Sequence, residues 1–230
     1  MNEKLYAAIT GDVIRSTKLK AAELDAIKRK VEKAAKTIGE WKKGLVDGSP
    51  DFHRGDAWQL LLTDPAFSLR ASIFIRASLL SMEMQTESKR RRRADTRLAV
   101  GIGTVERVST KRISDSVGEA FVLSGRTFDR LKTHCNMSIS ASDSLELDTE
   151  WLPVFWHLID ALVERWTLKQ AEIICLAIAP QKPTQGEIGA KFKPPKDQQT
   201  ISRSLSGAGW HAVLEALERF ESLSWKVGRK

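Results

Sequence analysis

Leu5-Tyr-Ala-Ala-Ile-Thr-Gly-Asp-Val-Ile-Arg-Ser-Thr17 starts as an apolar run, meets a glycine and a carboxylate, and ends on two hydroxyl residues. Leu5–Ile9 reads as a buried strand closed by Gly11. Asp12 then stands at the strand tip, and Ser16 and Thr17 offer caps for a helix. The helix announces itself through Leu24, Ile27, Val31, Ala34, Ile38 and Trp41, which repeat at three and four residues along one face. A strand feeding a helix in this way is the seed of an α+β or α/β unit.

Outward from that seed, strands and helices alternate. Asp47-Gly-Ser-Pro50 reads as a turn, followed by a hairpin with strands Asp51–Arg54 and Ala57–Thr63 around Gly55-Asp56. Asp64-Pro65 combines a capping side chain with a proline at the first helical position, opening a helix through Phe67, Ala71, Phe74, Ala77, Leu80 and Met84. The basic run Lys89–Arg93 reads as a solvated loop. Thr96–Val105 alternates as a strand, Gly118–Lys132 as a helix, and Met137–Ser140 is a last short strand. The order predicts an α+β domain over 1–142, a mixed sheet with helices on one face, related to the ferredoxin-like plan. Phe67, Phe74, Ile75, Leu80, Val100 and Ile102 are its expected core.

Composition shifts near residue 142, and five of the seven tryptophans follow it. Residues 143–230 read as an all-α domain with helices over Trp151–Trp166, Thr167–Ile178, Thr184–Lys191, Asp197–Leu205 and Trp210–Leu223. The third and fourth of these resemble a helix-turn-helix, with an enlarged turn through Pro194-Pro195. Its second helix would present Gln198, Gln199, Thr200, Ser202 and Arg203 to the major groove of double-stranded DNA. Lys191, Lys193 and Lys196 in the turn would meet phosphates. A helical bundle for protein contacts is the other reading of the same segment.

The chain has 230 residues, is 42% hydrophobic and carries a formal charge of +8, which excludes a wholly disordered chain and suits a polyanionic partner. The excess is spread, with 26 basic against 21 acidic residues up to Glu150 and 11 against 8 after it. Two cysteines, Cys135 and Cys175, exclude a disulfide scaffold and a four-cysteine zinc site and read as reduced core thiols. No apolar run approaches the roughly 20 residues of a membrane span, and the first residues lack the pattern of a signal peptide. A soluble, cytoplasmic protein without a membrane partner is expected. His53 and His134 have no metal-ligand spacing, and no nucleophile triad or P-loop stands out.

Chemistry concentrates around Asp12. Backbone amides and hydroxyls follow it, and Asp56 supplies a second carboxylate at the hairpin. Taken singly, Asp12 also reads as a helix cap and Gly55-Asp56 as a common turn. Asp12-Val-Ile-Arg-Ser-Thr17 resembles the first metal-binding stretch of class III nucleotidyl cyclases, and Gly55-Asp56 before Ala57–Leu62 resembles their second. Leu98-Ala-Val-Gly-Ile-Gly-Thr104 is similar to a later strand of that family, and Asp115-Ser-Val-Gly118 with Arg126 to a segment beyond it. The four matches cover about residues 4–142 in family order.

That resemblance implies a class III cyclase-like domain with Mg²⁺ or Mn²⁺ at Asp12, Val13 and Asp56. It implies nucleoside triphosphate contacts from Arg15, Ser16, Thr17, Phe52, Arg54 and Asp115, with Arg126 as the catalytic arginine on the α-phosphate. It also implies a homodimer, because the family builds each site from two chains. Departures are as plain: Phe52 stands where adenylate-making members carry a lysine, Val122 replaces the transition-state asparagine, and Arg15 replaces a phosphate-loop glycine. Taken singly, Arg126 also reads as a helix-surface residue, and Asp115 as a solvated loop residue or helix cap. The whole arrangement, with its C-terminal helix-turn-helix of winged-helix-like type, resembles the bacterial SatD-like family. Two functions are expected from this. One is a DNA-binding regulator whose cyclase-like domain holds a nucleotide or metal. The alternative is an active cyclase that converts a triphosphate to a cyclic nucleotide and pyrophosphate.

Overall fold

The structure is a computed structural model that describes residues 4–53, 55–84, 92–109 and 111–228. Strand β1 (Leu5–Val13) continues through Gly11 and Asp12 where an earlier end was expected. The reason is Trp58: a Cβ on Gly11 would lie 2.5 Å from its indole, so the missing side chain lets the ring cross the strand. Helix α1 (Ala21–Trp41) starts later than Ser16 and Thr17, which instead form a short 3₁₀ turn, Ser16–Lys18. Its first turn is closed by Glu23, whose carboxylate accepts the Lys20 amide at 2.8 Å.

Strand β2 (Val46–His53) is longer than expected and absorbs Asp47–Pro50 as an irregularity between Asp47 and Asp51, with Gly48 at φ 75°. It pairs with β3 (Ala57–Leu62). Asp64 caps as expected, accepting the Ala66 amide at 3.1 Å ahead of α2 (Ser68–Leu80). A two-stranded ribbon, β4 (Glu83–Met84) and β5 (Arg92–Arg93), precedes β6 (Thr96–Thr104), and α3 (Glu119–Asp129) leads to β7 (Met137–Ala141). The main sheet runs β2-β3-β1-β6-β7, antiparallel except for the parallel pair β6–β7. From β1 to β6 this is the split βαββαβ plan expected, extended at one edge by α3 and β7.

The helices cover both faces, which corrects the expectation of one. Ala7, Ile9, Leu60, Leu62, Val100 and Ile102 join α1 and α2 in the main core. Ala8 and Leu61, on the alternate face, pack with Ala120 of α3. A Cβ on Gly101 would sit 2.1 Å from the Ala120 carbonyl oxygen, so α3 rests directly on the β6 backbone. Of the expected core, Phe74, Ile75, Leu80, Val100 and Ile102 are buried, while Phe67 stays half-exposed at the edge.

The remaining helices are α4 (Leu152–Val163), α5 (Leu168–Ala177), α6 (Gln185–Ala190), α7 (Gln198–Gly207) and α8 (Trp210–Glu221). Thr167, Thr184 and Asp197 cap α5, α6 and α7 through their side chains. Among the described residues no two-stranded wing follows α7, because the chain turns at Gly209 straight into α8. Helix α2 is the spine of the molecule: all of Ser68–Leu80 is buried, with α1 against it and α4, α5 and α8 in contact. Arg70 reaches Glu221 and the Ile178 carbonyl, and Arg76 reaches Asp95 and Asp160. The buried apolar cluster accordingly runs unbroken from Ala7 to Phe220. No helix among the described residues is long and apolar enough to cross a membrane.

Candidate functional site

The backbone of Asp12 is held by a buried relay. Trp58 Nε1 donates to Thr96 Oγ1 at 3.1 Å, and Thr96 Oγ1 donates to the Asp12 carbonyl. Asp12 lies opposite Arg97 in the β1–β6 register and opposite Ala57 in the β1–β3 register, so all three share the face that α3 covers. The end of that face opens into a cleft of about 770 Å³ lined by Asp12–Thr17, Asp56, Arg93, Asp95, Arg97, Asn136 and Glu164, among others. Six consecutive residues of the quoted stretch thus wall one cavity, and the hairpin brings Asp56 to it.

Within the cleft the Asp12 charge is already paired. Arg97 binds both oxygens of Asp12, Nε to Oδ1 at 3.1 Å and Nη2 to Oδ2. The hydrogen bonds to Asp12 raise the guanidinium's pKa against the opposing effect of partial burial, and the charges of Asp12 and Asp56 add to the rise. Arg97 also lies 5.4 Å from the Phe128 ring centroid, a cation–π contact that steadies it. Ser16 Oγ donates to Asp56 Oδ2. Arg15, in a left-handed conformation at φ 59°, is exposed and enters no ion pair among the described residues.

Other predicted site residues lie elsewhere. Phe52 is opposite Trp58 in register, hence on the face away from Asp12, with Lys28 Nζ 5.8 Å from its ring. Val13 is buried in the main core, which leaves only its backbone to the cleft. Asp115 is exposed in a short turn, Ile113–Asp115, anchored by Asp51: Ser114 donates its amide at 3.0 Å and its hydroxyl at 2.5 Å. Arg126 is exposed on α3 outside the cleft. Arg54 and most of the basic run fall outside the described residues. The structure therefore brings together Asp12, Val13, Arg15, Ser16, Thr17 and Asp56, and leaves Phe52, Asp115 and Arg126 apart from them.

Mg²⁺ or Mn²⁺, implied by the resemblance, needs a set of free oxygen ligands. Here one arginine takes both oxygens of Asp12, Asp56 is bonded to Ser16, and no group of three or more His, Cys, Asp or Glu gathers among the described residues. The residues as they stand do not fit the ion.

Sequence reasoning missed Arg97, Asp95 and Glu164 in this cleft. Arg97 lies on the predicted strand Thr96–Val105, but its pairing with Asp12 depends on a register that the formed sheet sets. Asp95 comes by the same strand pairing, its carbonyl accepting the Ile14 amide at 3.0 Å, and Glu164 arrives through packing of the helical part. Gln59 donates Nε2 to Thr10 at 3.2 Å and leaves its buried Oε1 without a partner, as His53 does with Nδ1.

In the helical part, Gln198, Gln199, Ser202 and Arg203 are exposed on one face of α7, while Ile201 and Leu205 are buried on the other. Thr200 spends its hydroxyl on Asp197 Oδ2 at 2.8 Å. Lys193 is exposed, but Lys196 folds back to 3.5 Å from the Phe192 ring centroid and 3.9 Å from Glu172.

The fold and site define an α+β sandwich with an acidic–basic cleft at the end of its first strand. Solved structures with a similar chain trace are nucleotidyl cyclase domains. The guanylyl cyclase Cya2 is 17% identical over 64% of this chain and 84% of its own, at a TM-score of 0.43. The guanylate cyclase domain of RhGC from Catenaria anguillulae, in complex with GTP, is 14% identical over 61% and 80%, at 0.41. A bacterial light-regulated adenylyl cyclase is 13% identical over 61% and 77%, at 0.42. No protein-family model and no curated protein matches the chain.

Proposed function

We propose that this chain is a DNA-binding regulator of SatD-like type, in which the cleft around Asp12 takes a nucleoside triphosphate or another nucleotide. The observation that carries this reading is the composition of the cleft walls. Asp12–Thr17 and Asp56 come from the sheet, and Glu164 comes from the end of α4 in the helical part. Asp95, another wall residue, binds Arg76, and Arg76 binds Asp160 on α4. An occupant would therefore touch both the 1–142 and the 143–230 units. Arg15 and the hydroxyls of Ser16 and Thr17 suit phosphate oxygens.

In this reading α6 and α7 act as a helix-turn-helix. Gln198, Gln199, Ser202 and Arg203 face the groove, Thr200 is held by the Asp197 cap, and Lys193 supplies phosphate contact more readily than Lys196. Two copies would read two half-sites. Val122 leaves 49% of its surface exposed one turn before Arg126, an apolar spot on α3 that a second copy would cover. Selection from random duplexes, with and without each of the four nucleoside triphosphates, tests the proposal. A motif whose affinity shifts with nucleotide is expected, and no salt-dependent duplex affinity at low ionic strength would refute the DNA-binding part. Arg203→Ala should cost about 1–3 kcal/mol on that motif, and Lys193→Ala should weaken all sequences alike and lower the salt slope by about one.

An active cyclase is the second reading, favoured by one observation: Asp12 and Asp56 share a cleft while Asp115 and Arg126 stand exposed outside it, open to a partner chain. Incubation with each triphosphate and Mg²⁺ or Mn²⁺ decides it. Cyclic product that disappears with Asp12→Ala and Asp56→Ala would replace the regulator reading, and sedimentation showing monomer alone would count against both dimeric schemes.

A further inference from the structure

We infer that Arg97 holds the cation position at Asp12, so that a divalent ion binds there only after the guanidinium leaves. The inference rests on the reading of this cleft as a nucleotide site, but not on any nucleotide being bound. Three observations place Arg97 in that role. Asp12 and Arg97 are direct register partners on neighbouring strands, so the contact is fixed by the sheet and not by chance meeting of two long side chains. The guanidinium is bidentate, taking both Asp12 oxygens with two separate nitrogens. Phe128, 5.4 Å away at its ring centroid, adds a cation–π contact in the paired position.

A divalent ion at Asp12 needs at least one of those oxygens at about 2.0–2.1 Å for Mg²⁺. With Arg97 in place that ion would also face a fixed positive charge within a few ångströms, and like charges at such range disfavour one another strongly. Asp56 offers no way round, because it is bonded to Ser16 and no third acidic or imidazole ligand gathers beside it among the described residues. The Arg97 side chain is 43% exposed against 18% for Asp12, so it has room to swing out. Arg97 and a divalent ion are therefore competitors for one carboxylate.

The experiment uses Mn²⁺ alone, titrated into the full chain and followed by the loss of the free-ion electron paramagnetic resonance signal. Arg97→Gln, a shorter side chain that keeps an amide donor but no charge, should bind Mn²⁺ at least about tenfold more tightly than the wild type. Adding Asp12→Asn to that variant should abolish the gain. Arg97→Lys, which keeps the charge, should stay close to wild type, and it serves as the folded reference if Arg97→Gln melts early. Equal Mn²⁺ affinity in wild type and Arg97→Gln would overturn the inference, and so would the absence of binding in every variant. Equilibrium dialysis of labelled triphosphate in excess chelator is run alongside. Failure there removes the nucleotide reading and leaves the Mn²⁺ result standing on its own.

Discussion

Arg76, buried in α2, donates to the Asp160 carboxylate on α4 while Asp95 accepts from its other two nitrogens. Burial works against the charge of Arg76, and the two carboxylates more than reverse that, so its pKa is raised. Asp160 Oδ2 also accepts the Asn136 amide at 2.6 Å. Three segments are thus tied at one buried point. Asp160→Ala leaves the cation short of a partner and the amide unsatisfied, and should cost about 3–5 kcal/mol. Asp160→Asn keeps an acceptor for the amide and should cost less. Urea denaturation of both variants checks the ranking.

Gly101→Ala puts a methyl group where the Ala120 carbonyl and the Ser124 amide already stand, at 2.1 and 2.3 Å. Neither obstacle is a flexible side-chain end. Helix α3 must lift from β6, and the loss should reach about 3 kcal/mol. A lowered melting temperature is expected, together with weakening of the Thr10–Ser124 contact, 3.0 Å between hydroxyls in the native chain.

Asp51 is held below the usual carboxylate range. Burial pushes it upward, but the Ser114 hydroxyl and amide, followed by Arg112, outweigh that. Its folded pKa is depressed, so its contribution is full above the unfolded value and is lost as pH falls through the folded one. Asp51→Asn should cost about 1–3 kcal/mol at neutral pH. The difference from wild type should close below about pH 4. Unfolding curves from pH 7 down to pH 3 read this directly.

Burial pushes the Cys175 thiol up to about 11, partly offset by the Ser78 hydroxyl and by Lys30. The thiolate is the reactive form. Alkylation of Cys175 by iodoacetamide at pH 7.5 should be about a hundredfold or more slower in the native chain than in urea. Site-resolved mass spectrometry follows it, and rapid native labelling would refute the raised thiol pKa of this half-buried cysteine.

Strand, helix and hairpin identities followed from local pattern, because period and cap chemistry act within a few residues. Asp64-Pro65 opened its helix as read, and Thr167, Thr184 and Asp197 capped theirs. The stretch Asp12–Thr17 and Asp56 line one cleft. Boundaries shifted where distant residues intervened. Gly11 did not end β1, since Trp58 needed the space of its missing side chain, and Asp47–Pro50 became part of β2.

Sequence by itself determined the α+β order, the five-helix C-terminal run and the carboxylate at the strand's end, all properties of neighbours along the chain. Tertiary structure alone decided which face each residue joined and which charges met. Arg70 and Arg76 look like surface residues of an amphipathic helix until packing on both sides of α2 buries them against Glu221, Asp95 and Asp160. Phe52 and Asp12 share one sheet but oppose one another across it, because strand pairing fixes side-chain parity. Arg97 reached Asp12 by the same rule. An ion pair between strands 85 residues apart depends on register, and register is settled only when the whole sheet buries its apolar faces.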